Sequence, residues 1–158
     1  MTPRSFVNTL SLMHLAFFGS VLGFAVVSYV LVENHTLDLE NIDLTFFTVV
    51  LALSLFGVLG GNIIKKNILE TVKSKNSLRE KLGIYQTASL IRYATLEAPA
   101  LFAIVSYILT EQFLFLLIAL ALMFYFFSIR PTKSKIASEL QLNREEQIQF
   151  VKDNQELN

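Results

Sequence analysis

Four long apolar runs, at about residues 9–32, 44–64, 85–112 and 113–129, limit this chain to a helical fold in a membrane. Three runs exceed the ~18 residues that predict a transmembrane helix, and the fourth falls just short. The first run is longer than the apolar core of a signal peptide, and no small-x-small cleavage site follows it. We therefore predict an all-α bundle of four transmembrane helices, built from two tandem helical hairpins.

The composition excludes several classes of chemistry. Only 16% of the residues are charged, whereas soluble domains have about 25%. The absence of cysteine excludes disulfides, thiolate metal sites and cysteine nucleophiles. The two histidines, His14 and His35, are too few for a histidine metal cluster. Because no nucleophile–base pair or phosphate-binding loop is visible either, we do not expect an enzyme, a metal or an organic cofactor.

The charges are divided between the loops. Residues 33–43 contain four acids and no lysine or arginine, whereas residues 65–81 contain six basic and two acidic side chains. Three more basic residues, Arg130, Lys133 and Lys135, follow the last apolar run. The positive-inside rule explains the basic loop better than a nucleic-acid patch does, so no nucleic-acid partner is expected. It predicts a multi-pass protein of the inner (plasma) membrane, with the lipid bilayer as its solvent and both termini in the cytoplasm.

The chain divides into five predicted segments. Residues 1–8 form an N-terminal arm, 9–64 the first transmembrane hairpin and 65–86 a basic cytoplasmic loop. Residues 87–130 form the second hairpin, and 131–158 a cytoplasmic tail. Within the tail, Asn143 followed by Glu146 resembles a helix capping box, which predicts a short helix at about 144–152.

Small residues four apart predict close helix packing. Gly19 and Gly23 form one such pair, Gly57 and Gly61 a second, and Ala94 and Ala98 a third. We expect the two glycine pairs to pack against each other inside the chain. A contact between subunits is the alternative, and it would make the protein a homo-oligomer or part of a larger membrane complex.

The chain contains an apparent copy of itself. Residues 24–34 read FAVVSYVLVEN, and residues 102–112 read FAIVSYILTEQ, with seven of eleven positions identical. This similarity predicts a duplication in which the two hairpins have the same orientation. The alignment places Glu97 opposite Gly19, and Arg92 opposite His14.

Glu97 and Arg92 are the only charged residues between positions 88 and 110. Charges at membrane depth cost about 2.5–3.5 kcal/mol on insertion scales, so they usually have a function. A desolvated carboxyl group can bind a proton, or a sodium ion if other oxygens help. We expect Thr95, Ser106 and the backbone carbonyl of Tyr93 to be those helpers. The Thr95 carbonyl is a further candidate, because it loses its helical partner at Pro99, which has no N–H.

A structural role for Glu97 is the competing interpretation. Arg92 lies five residues earlier and is poorly placed for a direct ion pair on one helix. It is nearer the cytoplasmic end and can extend towards the interface. Glu97 would then pair with His14, or with a backbone carbonyl on a neighbouring helix.

The segment from position 81 to 112 resembles the carboxylate-bearing helix of the c (proteolipid) subunits of rotary ATP synthases. The resemblance rests on a basic polar loop, the Glu97–Ala98 pair and the apolar stretch FAIVSY at 102–107. It implies that Glu97 carries a proton or sodium ion. The acid lies in the third helix here rather than the last, and Arg92 and Pro99 depart from the family pattern. The chain as a whole resembles small four-helix inner-membrane proteins of Bacteroidota, which implies no mechanism.

Two functions are therefore expected from the sequence. The first is a structural or accessory membrane protein that oligomerises or joins a larger membrane complex. The alternative is a proton- or sodium-handling, proteolipid-like subunit in which Glu97 is the ion-carrying carboxylate.

Overall fold

A computed structural model describes residues 2–75 and 77–152, and all the regular structure in these residues is helical. The long helices are α1 (Pro3–Leu31), α2 (Leu44–Leu55), α3 (Gly61–Glu70), α4 (Leu78–Thr110) and α5 (Phe113–Ser128). A π-helical segment, Phe56–Gly60, joins α2 to α3, and a 3₁₀ turn, Thr71–Ser74, follows α3. The tail contains α6 (Lys133–Glu139) and α7 (Arg144–Val151).

Three continuous helical segments are long and apolar enough to cross a membrane: Pro3–Leu31, Leu44–Ser74 and Leu78–Thr110. Helices α5 and α6 pass the same test together, but they are bent by 82° at the break between them. The described residues therefore contain three to four candidate spans, which is consistent with a multi-pass membrane protein. Large apolar side chains also cover its outside, with Val30 exposed to 77% and Phe124 to 79%. Such a surface suits lipid rather than water.

Local capping explains where several helices begin and end. At the start of α1, Thr2 and Ser5 form a capping box, and Pro3 occupies the first turn. The predicted N-terminal arm is thus helical from Pro3 onwards. The capping box predicted at Asn143 and Glu146 is confirmed, and it starts α7. Most described residues of the predicted basic loop at 65–86 are helical, in α3, the 3₁₀ turn and α4; Lys75 and Ser77 are not.

Helix α4 lies at the centre and packs against α1, α2–α3 and α5. Contacts of His14 with Tyr93 and of Ser20 with Glu97 show that α1 and α4 run parallel. Contacts of Tyr93 with Phe126 and of Tyr107 with Phe113 show that α5 runs antiparallel to α4. By contrast, α1 and α2 make at most marginal contact. The two helices of the predicted first hairpin are therefore not each other's packing partners.

Hydrophobic clusters occupy both ends of this bundle. One joins the first turns of α1 to the start of α4 and to the tail, and includes Phe6, Leu82, Ile136 and Phe150. The other lies towards the opposite ends of α1 and α4 and includes Val32, Val50, Tyr107 and Phe115. The first cluster brings the N-terminal part of α1 and the described part of the tail to the same end of the molecule.

The close approach of α2–α3 to α4 requires glycine. A Cβ atom added at Gly57 would lie 2.5 Å from the Thr95 carbonyl oxygen and 2.9 Å from the Pro99 ring. One added at Gly61 would overlap the Thr95 hydroxyl. Gly57 and Gly61 therefore lie in close contact with α4.

The first glycine pair behaves differently. A Cβ atom added at Gly19 or Gly23 would meet nothing within 4 Å. The prediction that this pair packs against Gly57 and Gly61 inside the chain is wrong. The prediction fails because α4 lies between α1 and α2–α3 and itself packs against the second glycine pair.

The two copies of the apparent repeat make equivalent local contacts. Ser28 donates a hydrogen bond to the Phe24 carbonyl at 2.7 Å, and Ser106 donates one to the Phe102 carbonyl at 2.9 Å. The tyrosines that follow meet at His35, which stacks on Tyr29 and shares a hydrogen bond with Tyr107 at 2.5 Å. These contacts fit a duplication, which itself stays a prediction.

The glycine contacts predict a difference in stability. We expect Gly57→Ala to destabilise the protein by about 1–3 kcal/mol, because the new methyl group has no room beside α4. Gly19→Ala is the matched control, and it should be neutral or stabilising because alanine favours helix and the position is open. Thermal unfolding of both variants in detergent measures the difference. Equal melting temperatures would contradict the close approach.

Candidate functional site

Glu97 lies in the middle of α4 and faces α1. Ser20 Oγ donates a hydrogen bond to Glu97 Oε1 at 2.5 Å, which is short for such a bond. The carboxyl group is half-buried and borders a small cavity whose other lining residues are apolar, among them Phe18, Val21 and Met123. Apart from Glu97 itself, the side chains that line this cavity are hydrocarbon.

The predicted helpers of Glu97 lie elsewhere. Thr95 is about 200° round the helix from Glu97, and its carbonyl oxygen is directed at Gly57 on the opposite side of α4. Its hydroxyl donates to the Arg92 carbonyl. Ser106 is nine residues further on, about 13 Å along the axis, and donates to Phe102. The structure therefore brings neither residue to Glu97, and it supplies Ser20, which the sequence analysis missed.

The predicted polar partners of Glu97 are also engaged with other groups. His14 Nε2 donates to the Phe126 carbonyl at 3.0 Å, and its ring lies between Tyr93 and Phe126. Arg92 Nη2 donates to the Tyr125 hydroxyl at 3.2 Å, on the side of α4 that faces Gly61. The structure thus does not bring His14 or Arg92 to Glu97, and each belongs to a separate contact.

Ala94 and Ala98 are both exposed on α4. The close helix packing predicted there is therefore not made within the described residues. Ala98 follows Glu97 and Gly19 precedes Ser20, so the Ser20–Glu97 hydrogen bond has an open small residue beside each of its partners. Both small-residue pairs, Gly19–Gly23 and Ala94–Ala98, remain available to another helix.

A second polar cluster lies at the basic end of the bundle. Lys65 Nζ contacts Glu139 Oε2 at 2.7 Å, and the Tyr85 hydroxyl donates to the same oxygen at 2.6 Å. Lys65 also lies over the Tyr85 ring, 4.6 Å from its centroid. Burial raises the pKa of Glu139, but the hydrogen bonds from Lys65 and Tyr85 outweigh it, and the pKa of Glu139 falls below its usual range. Glu139 is therefore an anion at neutral pH.

This cluster forms one wall of a cavity of about 560 Å³, which we call the basic cavity. Its walls come from α3, the 3₁₀ turn, α4 and the end of α6. Five of its lining side chains are cationic and two are acidic; they are Lys65, Lys66, Lys73, Lys81, Arg92, Glu70 and Glu139. The charge run at 65–81 was visible in the sequence. Its convergence with Arg92 and Glu139 was not, because those residues lie far away along the chain.

The tail is attached to this end of the bundle by a second ion pair. Lys81 Nζ contacts Glu146 Oε1 at 2.6 Å, and both side chains are largely buried, with exposed fractions of 15% and 12%. Phe150, from the same helix, is buried in the hydrophobic cluster at this end. Helices α6 and α7 are thus part of the folded structure.

Comparison of the chain with protein-family models, with curated proteins and with solved structures found no match. The resemblances noted from the sequence therefore stay predictions.

The Lys81–Glu146 ion pair predicts how the tail can be released. We expect Glu146→Gln to increase proteolytic cleavage between α6 and α7 several-fold, because Lys81 loses its buried partner while the glutamine keeps the capping box. Glu145→Gln is the control, since Glu145 is exposed in the same helical turn. Limited proteolysis in detergent measures the rates. Equal cleavage of the two variants would contradict docking through this pair.

Proposed function

We propose that this protein is an accessory subunit of a membrane assembly, which it joins through the open small-residue surfaces of α1 and α4. The observation that carries the proposal is the open space at Gly19 and Gly23 in the middle of an apolar helix. Glycine in a helix interior costs about 0.5–1 kcal/mol relative to alanine. A glycine pair that no other described residue approaches therefore needs a reason outside the chain. Close approach of another transmembrane helix supplies that reason.

The proposal includes a topology. Four spans form two tandem hairpins in the inner membrane, and both termini are cytoplasmic. Support comes from the basic end of the bundle, where Lys65, Lys66, Lys73 and Lys81 lie close to the tail. Lysine and arginine accumulate on the cytoplasmic side of membrane proteins. The opposite end has the acidic segment 33–43, whose Asp43 caps α2.

Replacement of the open glycines tests the association. We expect Gly23→Leu to reduce association in the membrane at least several-fold, because the leucine side chain separates two helices that otherwise touch through their backbones. Gly83→Leu is the matched control, since Gly83 is equally open but lies near the start of α4, outside the apolar stretch. The folded state of the single chain should persist in both variants.

Disulfide cross-linking in native membranes provides the measurement. The chain has no cysteine, so a single Val26→Cys change on the exposed side of α1 gives an unambiguous reporter. A product of twice the chain mass indicates self-association, and another mass identifies a different cysteine-bearing subunit. The cross-linking yield of Val26→Cys is then compared with that of the double variant Gly23→Leu/Val26→Cys. Equal yields, with either partner, would show that the α1 surface is not the interface.

A second function is supported by the Ser20–Glu97 hydrogen bond. A carboxyl group with one hydroxyl partner and apolar surroundings is suited to carrying a proton, as in the proteolipid-like alternative. A sodium ion at Glu97 would have fewer oxygen ligands than expected, because the Thr95 and Ser106 hydroxyls lie elsewhere on α4. Within residues 2–75 and 77–152, no group of three or more acidic, histidine or cysteine side chains could hold a metal ion.

Carbodiimide labelling, mapped by mass spectrometry, tests this second function. The reagent attacks protonated carboxyl groups in apolar surroundings, so we expect selective labelling of Glu97 that declines as the pH rises. Glu97→Gln should abolish labelling and leave assembly intact, because glutamine keeps an oxygen for the Ser20 hydroxyl. Protection by sodium would identify a sodium carrier instead. Absence of labelling at every pH would leave Glu97 with a structural role.

A further inference from the structure

The basic cavity has more positive charge than its own acids neutralise. Lys65 is paired with Glu139, and Lys81 is paired with Glu146. Within residues 2–75 and 77–152, Lys66, Lys73 and Arg92 have no acidic group within ion-pair distance. These three cations converge on a cavity of about 560 Å³, large enough for a small ligand group. Unbalanced charge in a concave, partly desolvated site favours an anion.

Arg92 is the cation best placed to define the ligand. Its Nε atom is buried and has no hydrogen-bond partner in the part of the chain that the structure describes. Its Nη2 atom donates to the Tyr125 hydroxyl, which also accepts from Asn62 Nδ2 at 2.9 Å. A buried donor without a partner costs about 1–3 kcal/mol. An oxyanion would satisfy it, because the guanidinium group binds phosphate through two parallel N–H bonds.

We propose that the basic cavity binds a phosphate group, presented by an anionic lipid headgroup or by a soluble phosphate compound. Arg92, which is half-buried, contributes the planar guanidinium group, and the exposed Lys66 and Lys73 contribute flexible ammonium groups. Basic pockets between membrane helices at the cytoplasmic side are known to accept lipid headgroups. The wall formed by Glu139 and Lys65 is neutral as a pair. Among the described residues, Glu70 is the one other acid that lines the cavity, so five lining cations still outnumber two lining acids.

Paired lysine variants test the charge requirement without disturbing the fold. Lys66 and Lys73 are exposed, so Lys66→Gln/Lys73→Gln should leave the bundle intact. The control is Lys75→Gln/Arg79→Gln, which removes the same charge from exposed positions at the same end that do not line the cavity. We expect the first pair of changes to weaken phosphate binding roughly thirtyfold, and the control pair to weaken it less than about threefold.

The measurement uses the full chain in detergent and two separate probes. Native mass spectrometry counts bound phosphatidylglycerol against phosphatidylcholine, and thermal unfolding records stabilisation by inorganic phosphate against chloride at equal ionic strength. One phosphatidylglycerol per chain, lost in the cavity variant alone, identifies a lipid headgroup. Stabilisation by phosphate without preference for the anionic lipid identifies a soluble compound.

Arg92→Lys separates fork geometry from charge. This variant keeps the cation but loses the planar pair of donors, so binding of the probe should fall at least several-fold. The proposal is overturned if neither probe binds in preference to its neutral or chloride control. It is also overturned if the cavity variant and the control variant bind equally, because surface charge alone would then explain the binding.

Discussion

The approach of α2–α3 to α4 at Gly57 and Gly61 is the contact on which the rest of the bundle depends. With no side chain at either position, the Thr95 carbonyl and hydroxyl lie directly against the neighbouring backbone. The carbonyl oxygen is available because Pro99 cannot donate to it. Lys65 follows Gly61 by about one helical turn, so the same approach lets its ammonium group reach the Tyr85 ring. One pair of glycines therefore positions the polar cluster at the basic end.

Helix α4 distributes its polar side chains among different neighbours. Glu97 meets Ser20 on α1, Arg92 meets Tyr125 on α5, Tyr85 meets Glu139 on α6, and Tyr107 meets His35 in the first loop. A polar group inside an apolar bundle costs free energy unless it has a partner. Each pair is made in only one rotation of α4 about its axis. Polar contacts in four directions therefore fix that rotation more narrowly than apolar packing can.

The sequence predicted the helices well and their neighbours less well. Apolar run lengths gave the candidate spans, and the Asn143–Glu146 box gave the start of α7. The GxxxG spacing occurs twice, yet Gly57 is packed and Gly19 is open. Spacing shows that a backbone can be approached closely; it does not show which helix approaches. Only the three-dimensional position of α4 decides that.

The candidate site illustrates the same limit at the level of single residues. Pro99 cannot donate to the Thr95 carbonyl, and the position of that carbonyl on the helix directs it to Gly57 rather than to Glu97. Ser20, which does bond to Glu97, lies 77 positions earlier in the chain. Glu139 and Lys65 are likewise 74 positions apart. Patterns within one helix cannot reveal such pairs, because they depend on how separate helices are rotated and aligned.

The tail and the proposed anion both interact with cations of the basic cavity, so folding of the tail affects the anion site. Glu139 and Glu146 neutralise Lys65 and Lys81, which leaves Lys66, Lys73 and Arg92 for a ligand. Without the tail acids, all five cations would face one cavity and repel each other. Docking of α6 and α7 therefore reduces that repulsion and also completes the wall beside Arg92. The tail acids then stabilise this end of the bundle through Lys65 and Lys81, and a bound phosphate group stabilises it through Lys66, Lys73 and Arg92.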